Sequence, residues 1–268
     1  MLFAGRELAT KINYLKNQGK ELGLSVNVPK RVEFLVVLYI KIFGIPEIGF
    51  QERFDFFQNC TKNLNGNFFI DAGCGNGAYS RYMAKIFPTS QIVSFDIEEK
   101  LVKLAKNLTQ EKRISVSVGD LTKTNQKLKN RGDIVWSLDV LEHISNYKKA
   151  INNLSFMVKK GGYLIIHVPL VNQKRWFNYF KSWTHDTHER EGYQKKEIIG
   201  LLKKFKIIKE VDTFGGFGSL IWEINTLLFK RVPLLAVILF PFLRLLMIFD
   251  KYIPSKKHNC FGVLARKI

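Results

Sequence analysis

Short apolar runs alternate with helical segments through the middle of the chain. The five runs are rich in β-branched and aromatic residues and have the length of buried strands. They read NFFIDAG, QIVSFDI, ISVSVGD, GDIVWSL and GGYLIIHVP. The spacing of apolar residues predicts helices at 78–87, 99–108 and 147–158. This alternation predicts an α/β fold, a doubly wound and mostly parallel sheet with helices on both faces.

Two further strands and a helical lead-in complete the pattern. After a polar aromatic loop, we predict a helix KKEIIGLLKKF, a sixth strand KIIKEVDTF and a seventh strand CFGVLARKI. Residues 31–60 have helical spacing on both sides of a break at Gly44 to Pro46, where the proline ends the first helix. We therefore divide the chain into an N-terminal helical extension, residues 1–66, and a main domain, residues 67–268.

An unusually apolar stretch, TLLFKRVPLLAVILFPFLRLLMIFDKYIP, separates the last two strands, as an insertion at about residues 219–258. A membrane-spanning helix needs about 20 consecutive apolar residues. Here Pro233, Pro241 and Arg244 interrupt the run, so a clean span is not expected. The stretch is too apolar for a solvated loop. It packs on the domain, forms a dimer interface or lies in a membrane interface, and we favour the last. The cations that would face anionic headgroups are Lys230, Arg231, Arg244, Lys251, Lys256 and Lys257.

The charge of the chain supports an anionic partner. Its 268 residues include 42 Lys and Arg against 23 Asp and Glu, a net charge of +19. Nucleic acid, lipid headgroups or an acidic substrate would match this charge, and a lysine-rich solvated surface is the alternative. The three cysteines lie far apart without a CxxC pair, which indicates reduced thiols and no structural zinc. The first residues lack the apolar run of a signal peptide. We expect a cytoplasmic protein, peripheral on the membrane.

The segment FFIDAGCGNGAYS joins the first strand to a glycine-rich turn. Gly73, Gly75 and Gly77 spell GxGxG, but Gly73 and Gly75 with Ala78 also satisfy the looser dinucleotide fingerprint. Glycine spacing alone therefore leaves the ligand open. Asp71 discriminates, because its carboxylate would repel a pyrophosphate at the turn and attract the cationic ammonium and sulfonium groups of S-adenosylmethionine. Electrostatics favour the methyl donor over a nicotinamide dinucleotide.

Two more acids end successive strands. Asp96 ends the second strand, 21 residues after Gly75 (96 − 75), where a carboxylate can accept both hydroxyls of a ribose. Asp120 closes the third strand, where it can accept from an adenine amino group. Each acid has an alternative role as a helix cap or turn residue. Three acids at three strand ends together indicate a nucleoside site.

These motifs resemble the class I S-adenosylmethionine-dependent methyltransferases. The resemblance rests on IDAGCGNG, SFDI, VGDL, DIVWSLDVLEHI and GGYLIIHVP, in this order and at these spacings. It is closest to the small-molecule, type 11-like branch that includes the quinone O-methyltransferases, and it covers residues 67–169 well and the later strands more loosely. It implies a Rossmann-like sheet of seven strands with the last strand antiparallel. The apolar stretch then becomes a helical insertion before that strand.

The resemblance also implies a donor site. Asp71 and the three turn glycines would hold the methionine part, with Asp96 and Ile97 at the ribose and Asp120 with Leu121 at the adenine. The floor near the sulfonium would be lined by Leu138, Asp139 and Val140. His143, at the start of a helix, is expected to be structural or to face the cofactor.

A protonated acceptor would need a base, and histidine suits this role near neutral pH. The candidates are His185 and His188 in SWTHDTHEREGY, in the loop after the fifth strand. The alternative is that both histidines hydrogen-bond the loop to the body of the domain. HxxH also resembles a metal pair, but no third ligand is evident beyond the flanking acids, so no metal site is predicted.

We therefore expect methyl transfer to a small apolar or amphipathic acceptor, such as a lipid, a quinone-like compound or a lipid-linked molecule, at an oxygen rather than at carbon or nitrogen. An inactive methyltransferase-like membrane adaptor is one alternative, and the intact acids argue against it. A nucleic-acid methyltransferase is another. It is disfavoured because LDVLEH stands where amino-methylating enzymes carry Asn or Asp followed by Pro-Pro and an aromatic residue.

Overall fold

The computed structural model describes residues 35, 38, 39, 42–109, 111–181 and 188–268. The chain divides into two compact units. The first contains residues 1–53, 174–183 and 214–258, and the second contains residues 54–173, 184–213 and 259–268. The predicted domain boundary after residue 66 stays a prediction, and most of the proposed N-terminal extension lies outside the described residues.

The second unit is built on a seven-stranded sheet. Its strands are β1 (Phe68–Ala72), β2 (Gln91–Asp96), β3 (Ile114–Val118), β4 (Gly132–Leu138), β5 (Val158–Pro169), β6 (Phe205–Thr213) and β7 (Cys260–Lys267). They lie in the order β3-β2-β1-β4-β5-β7-β6. The first five pair in parallel, and β7 is antiparallel to both of its neighbours. The predicted fold class, with its antiparallel last strand, is confirmed.

Helices cover both faces of this sheet because consecutive residues of its strands are apolar and point to opposite faces. Ile70 packs on one face and Phe69, its neighbour in β1, packs on the other. The helices of this unit are α2 (Ala78–Ile86), α3 (Glu99–Leu108), α4 (Tyr147–Met157) and α6 (Lys195–Leu201). Their bounds agree with the predicted helices, except that α2 and α4 each end one residue earlier and α6 ends four residues earlier. The connections at the carboxyl ends of β1 to β4 carry the predicted site residues.

The predicted break at Gly44 to Pro46 is present in the chain. Residues 42 and 43 are helical, Gly44 has φ 91°, and α1 (Ile48–Thr61) begins after Pro46. The boundary between the two units falls within α1, at Arg53 and Phe54.

The first unit contains the apolar insertion as two long helices. These are α7 (Gly216–Arg231) and α8 (Pro233–Asp250), and a short helix α5 (Asn178–Lys181) precedes them in the chain. The insertion therefore starts a few residues before the predicted position 219. Among the residues that the structure describes, α8 is the one helix long and apolar enough to cross a membrane, by length and composition only.

The prolines that interrupt the apolar run do not end the helix. Pro233 lies in the first turn of α8, where a missing N–H costs nothing. Pro241 lies inside the helix, and a proline there leaves the carbonyl four residues earlier without its helical donor. The hydroxyl of Tyr39 donates to that carbonyl, the main-chain oxygen of Val237. A side chain from another segment thus replaces the lost hydrogen bond, and the helix continues.

Helix α8 has one buried and one exposed apolar face. Ala236, Phe240, Leu243 and Met247 are buried. The other face is at least half exposed along the whole helix, at Leu234, Ile238, Phe242, Leu245, Ile248 and Phe249. An isolated exposed leucine is ordinary, but a continuous apolar stripe marks a surface that contacts another apolar phase.

Two hydrogen-bonded carboxylates, one in the middle of α7 and one at the end of α8, hold these helices in place. Glu223 of α7 is fully buried and accepts the backbone N–H groups of Trp176 and Phe177 at 3.0 and 2.8 Å. Asp250, the last residue of α8, accepts the N–H groups of Gly215 and Gly218 at 2.8 and 2.6 Å. Asp250 therefore ties the end of α8 to the start of α7.

Candidate active site

The turn after β1 is made by glycines in the left-handed region. Gly73, Gly75 and Gly77 have φ angles of 85°, 51° and 76°, which residues with a side chain rarely adopt. The N–H groups of Gly73 and Cys74 both donate to the carbonyl of Phe95, at 2.8 and 3.0 Å. The turn is therefore held against the end of β2, and its conformation explains why the sequence carries GxGxG.

The space around the glycines differs from one to the next. A Cβ on Gly73 would overlap Cγ2 of Val140, so this glycine allows the turn to pack on the connection after β4. A Cβ on Gly75 would meet no atom within 4 Å. Gly75 therefore borders open space at the carboxyl edge of the sheet. This arrangement fits a ligand that approaches the backbone closely, as the predicted methyl donor would.

Asp71 lies beneath the turn and is buried. Its Oδ2 accepts the hydroxyl of Ser80 at 2.6 Å, and the Ser80 and Ser94 hydroxyls lie 2.7 Å apart. Burial raises the pKa of Asp71 to about 7, and the hydrogen bond from Ser80 offsets part of that rise. A cation bound above the turn would favour the ionised carboxylate, because an opposite charge lowers the pKa of an acid.

Asp96 is joined directly to the glycine turn. Its Oδ2 accepts the N–H of Gly75 at 2.8 Å, and its Oδ1 accepts the N–H of Glu98 at 2.9 Å. Each oxygen keeps a second lone pair for a hydroxyl donor. The next residue, Ile97, is 71% exposed and offers an apolar surface at the same edge. The predicted ribose residues and the predicted methionine turn thus form one hydrogen-bonded group.

Asp120 follows β3 and makes a local turn. Its Oδ1 accepts both the N–H and the hydroxyl of Thr122, at 2.8 and 2.7 Å. These hydrogen bonds lower the pKa of Asp120, so it stays ionised. A pocket of about 450 Å³ lies beside Asp120 and Phe95. Leu121 is buried, and its carbonyl accepts from the side-chain amide of Asn153 at 2.8 Å. Asp120 has the turn role that was its alternative, and its Oδ2 lies 3.9 Å from Nζ of Lys123.

The connection after β4 brings three predicted residues to the same edge. Leu138 is the buried last residue of β4, Asp139 has an unusual φ of 51°, and Val140 packs against Gly73. The side chain of Asp139 is 24% exposed. Its Oδ1 lies 2.5 Å from Nδ1 of His167, the β5 residue paired with Leu138.

The histidines of the later loop are only partly described. His185 lies outside the described residues. His188 is described, and its ring packs edge-on against His143, with ring centroids 4.5 Å apart. The N–H of Glu189 donates to the carbonyl of Glu142 at 2.9 Å, which fixes this end of the loop beside the connection after β4.

His143 and His188 belong to a three-residue cluster. With Glu142 they bring one ligand atom each to within 4.8 Å of one another. At this spacing the side chains can share a hydrogen-bond network or a cation. Glu142 is a further potential ligand that spacing along the chain did not reveal, and the roles of His143 and His188 stay predictions.

Several residues of the site were not predicted from the sequence. Ser80 and Ser94 support Asp71, and both are small polar residues at positions that face the core. His167 is fully buried and contacts Asp139. Its position at the end of the apolar run YLIIHVP was an available signal, because a titratable residue in a buried strand needs a polar partner.

The comparisons with known proteins agree with this geometry. Residues 70–166 match the family model described as a methyltransferase domain. A ubiquinone biosynthesis O-methyltransferase of Coxiella burnetii is 28% identical over 157 residues, which are 52% of this chain and 64% of the relative. The corresponding enzyme of Proteus mirabilis is 24% identical over 60% of this chain and 76% of the relative. The chain thus spans less than two thirds of the Coxiella relative's length.

Solved structures share the fold. A phosphoethanolamine N-methyltransferase of Haemonchus contortus in complex with S-adenosyl-L-methionine superposes with a TM-score of 0.60 at 20% identity, over 85% of this chain and 56% of that one. A geranyl diphosphate C-methyltransferase of Streptomyces coelicolor gives a TM-score of 0.57 at 11% identity, over 80% and 76% of the two chains. At these identities the likeness concerns the fold alone.

The sheet order, the glycine turn and the strand-end acids are arranged as in the class I S-adenosylmethionine-dependent methyltransferases, and residues 70–166 match a methyltransferase domain. Within that class, the chain resembles the quinone O-methyltransferases. The predictions of the class and of S-adenosylmethionine as its cofactor are confirmed. The role of each site residue stays a prediction.

Proposed function

We propose that the protein transfers a methyl group from S-adenosylmethionine to an oxygen of a small apolar or amphipathic acceptor, quinone-like or lipid-like, at an anionic membrane surface. The observation that carries the proposal is the arrangement of two carboxylates, Asp71 and Asp96, around the glycine turn. Asp71 is buried below it, Gly75 borders open space, and Asp96 accepts the N–H of Gly75. The similarity to ubiquinone biosynthesis O-methyltransferases supports an apolar acceptor with a hydroxyl group.

We assign the donor site to the residues that the fold places at this edge. Asp71, Gly73, Gly75 and Gly77 receive the methionine part, Asp96 and Ile97 the ribose, and Asp120 with Leu121 the adenine, while Leu138, Asp139 and Val140 lie under the reacting centre. The donor supplies an electrophilic methyl group on a sulfonium. The chain contributes alignment of the acceptor with that methyl and exclusion of water.

Transfer to a hydroxyl oxygen also releases a proton. We propose His188, the described candidate of the later loop, as an acid–base group on the loop side of the site. Its contact with His143 holds the ring beside the connection after β4. His185 is retained as the second candidate.

The membrane surface is proposed from α8. Its exposed stripe runs from Leu234 to Phe249, and Lys230, Arg231 and Lys251 flank its two ends. An apolar helix face between clusters of cations is the pattern of a helix that lies in the interface of an anionic bilayer. Dimerisation through the same face and an inactive membrane adaptor are the competing functions.

Calorimetric titration with S-adenosylmethionine and with NAD tests the enzyme class. We expect binding of the methyl donor but not of NAD. Donor binding should be lost in Asp96→Asn, because the side chain then lacks the carboxylate that would accept both ribose hydroxyls. Asp212→Asn is the control, since Asp212 lies on β6 and pairs there with Lys195 of α6. Absence of donor binding by the folded wild type would leave the adaptor as the better function. A radiolabelled donor with hydroxylated isoprenoid and phenolic compounds in micelles then screens the acceptor.

Flotation with phosphatidylglycerol vesicles tests the membrane surface. We expect the wild type to float and the Ile238→Ser, Phe242→Ser, Leu245→Ser variant to remain in the dense fraction. Ile208→Ser is the matched control, because Ile208 is an exposed apolar residue of the edge strand β6. Vesicle-independent dimers that are lost in the triple variant would instead identify a dimer interface.

A further inference from the structure

The Asp139 carboxylate is oriented by a buried histidine. Nδ1 of His167 lies 2.5 Å from Oδ1 of Asp139, and Nε2 of His167 lies 3.1 Å from the hydroxyl of Thr213. Both ring nitrogens therefore have a partner, one on each side. The ring of Phe56 packs against the imidazole, with centroids 5.4 Å apart. His167 is fully buried, so its orientation is fixed by these contacts.

The backbone of Asp139 is held by the same residue. Its N–H donates to the carbonyl of His167 at 3.0 Å, and its φ of 51° lies in the left-handed region, which residues with a side chain adopt uncommonly. Two contacts to one residue thus hold Asp139 in an unfavourable conformation. Strain of this kind persists where the surrounding structure fixes it, and it is concentrated at functional sites.

The position of Asp139 makes this arrangement relevant to catalysis. Val140, the next residue, packs on Gly73 of the donor turn. Oδ1 of Asp139 faces the buried imidazole, whereas the side chain as a whole is about a quarter exposed at the carboxyl edge of the sheet. The hydrogen bond to the buried imidazole does not itself require this exposure.

We infer that Asp139, oriented by His167 and Thr213, accepts the proton of the acceptor hydroxyl, and that His167 is a positioning residue. This inference rests on the proposed methyl transfer to oxygen. In that reaction the oxygen–carbon bond forms while the carbon–sulfur bond breaks and its electron pair stays on sulfur. The hydroxyl proton passes first to Oδ2 of Asp139, and His188, the acid–base group proposed above, then transfers it to solvent. His167 donates from Nδ1 throughout, and its Nε2 accepts from Thr213.

Other titratable groups lie near this edge and must be separated from Asp139. Glu142 and His143 follow it on the same connection, His188 packs on His143, and Asp71 and Asp96 belong to the donor group. Asp139→Asn is the first variant, since asparagine tolerates the left-handed backbone. His188→Gln is measured beside it. Donor affinity by calorimetry shows whether each variant still folds and binds.

We expect Asp139→Asn to lower kcat by about 100-fold or more, a larger factor than its effect on the donor Kd. His167→Leu should move the acidic limb of the kcat/KM profile to higher pH by about one unit, because the carboxylate loses a donor that favours its charged form. His167→Asn, which can place an N–H near the Nδ1 position, should restore the profile in part. Carbon NMR should follow the titration of Asp139 without any ligand bound. The midpoint should be lowest in the wild type, highest in His167→Leu and intermediate in His167→Asn.

Two results would overturn the inference alone. Asp139→Asn could retain wild-type kcat, or His167→Leu could leave both the pH profile and the Asp139 titration unchanged. In these cases the proposed methyl transfer stands and the role of Asp139 falls. If the wild type binds donor but methylates no hydroxyl compound, or binds no donor, the proposed function fails first and this inference fails with it.

Discussion

At the scale of single residues, the proposed donor site predicts that Asp71 couples proton binding to donor binding. Burial raises its pKa from 3.8 to about 7, so the folded chain keeps a proton there that the unfolded chain releases near pH 4. Stability therefore falls as pH rises between these two values. A bound ammonium group needs the ionised carboxylate. Below pH 7 the binding energy must therefore also remove a proton.

We expect donor affinity to increase by up to tenfold per pH unit from pH 6 to about pH 7 and to level off above it. Calorimetry in two buffers of different ionisation enthalpy should detect proton release on binding. In Asp71→Asn the affinity should be weak and independent of pH, while the free energy of unfolding at pH 8 should exceed that of the wild type. A pH-independent affinity in the wild type would contradict the coupling.

Gly73 and Gly75 offer a matched pair that separates stability from binding. In both, an added Cβ strains the left-handed backbone, but only at Gly73 would it also overlap Val140. We expect Gly73→Ala to lose more than about 2 kcal/mol of stability. Gly75→Ala should lose about 1 kcal/mol and yet bind the donor far more weakly, because its methyl group enters open space next to the turn. Thermal unfolding measures the loss of stability, and calorimetry measures the loss of donor affinity. If Gly73→Ala and Gly75→Ala weakened donor binding equally at similar stability, the space beside Gly75 would not be the donor site.

Local sequence patterns specify much of this site, and the exceptions have a physical reason. The glycine turn and the strand-end acids were predictable because backbone conformation and strand position leave a mark on neighbouring residues. The contact between Asp139 and His167 was not, because it depends on the register in which Leu138 pairs with His167. No local pattern of either segment encodes that register.

At the scale of secondary structure elements, helix α8 depends on a distant hydroxyl. The Tyr39 side chain supplies the hydrogen bond that Pro241 removes from the carbonyl of Val237. The two residues of this bond are separated by 198 positions. This separation explains why no local pattern indicated the hydrogen bond, whereas β1, β2 and β4 were predicted to within one residue at each end.

Tyr39→Phe tests this dependence. We expect a loss of about 1–2 kcal/mol, because the Val237 carbonyl is left without a donor, and faster amide exchange in the middle of α8. Hydrogen exchange resolved by mass spectrometry measures the effect, with exchange in α2 as an internal reference. In a Pro241→Ala background, which restores the helical donor, Tyr39→Phe should have no further effect. Persistence of the full loss in that background would mean that Tyr39 stabilises the unit through packing.

At the scale of the whole molecule, two contributions to the proposed membrane contact can be distinguished. One is the attraction of the net charge of +19 to anionic headgroups, and the other is burial of the apolar α8 stripe. Attraction to anionic headgroups is screened by salt, whose Debye length falls from about 10 Å at 0.1 M to about 3 Å at 1 M. Burial of the exposed α8 stripe is not weakened in this way. The two contributions therefore respond differently to ionic strength.

We expect flotation with phosphatidylglycerol vesicles to decrease steeply with added NaCl until a residual, salt-resistant fraction remains. The salt-resistant fraction should be lost in the triple α8 variant. The salt-sensitive binding should persist in that variant at low ionic strength. Vesicles of phosphatidylcholine serve as the uncharged control and should retain only the residual fraction. Binding that is fully abolished by salt in the wild type would remove α8 from the interaction.

The strand order sets a sequence of events during synthesis. Strand β6 pairs only with β7 within the sheet, and β7 also completes the pairing of β5. Residues 214–259, with α7 and α8, leave the ribosome between these two strands. The apolar helices are therefore made while β6 still lacks its neighbour. A nascent chain held at a bilayer at that moment would deliver α8 to the lipid before the enzyme's sheet is finished, so membrane attachment would precede the gain of activity.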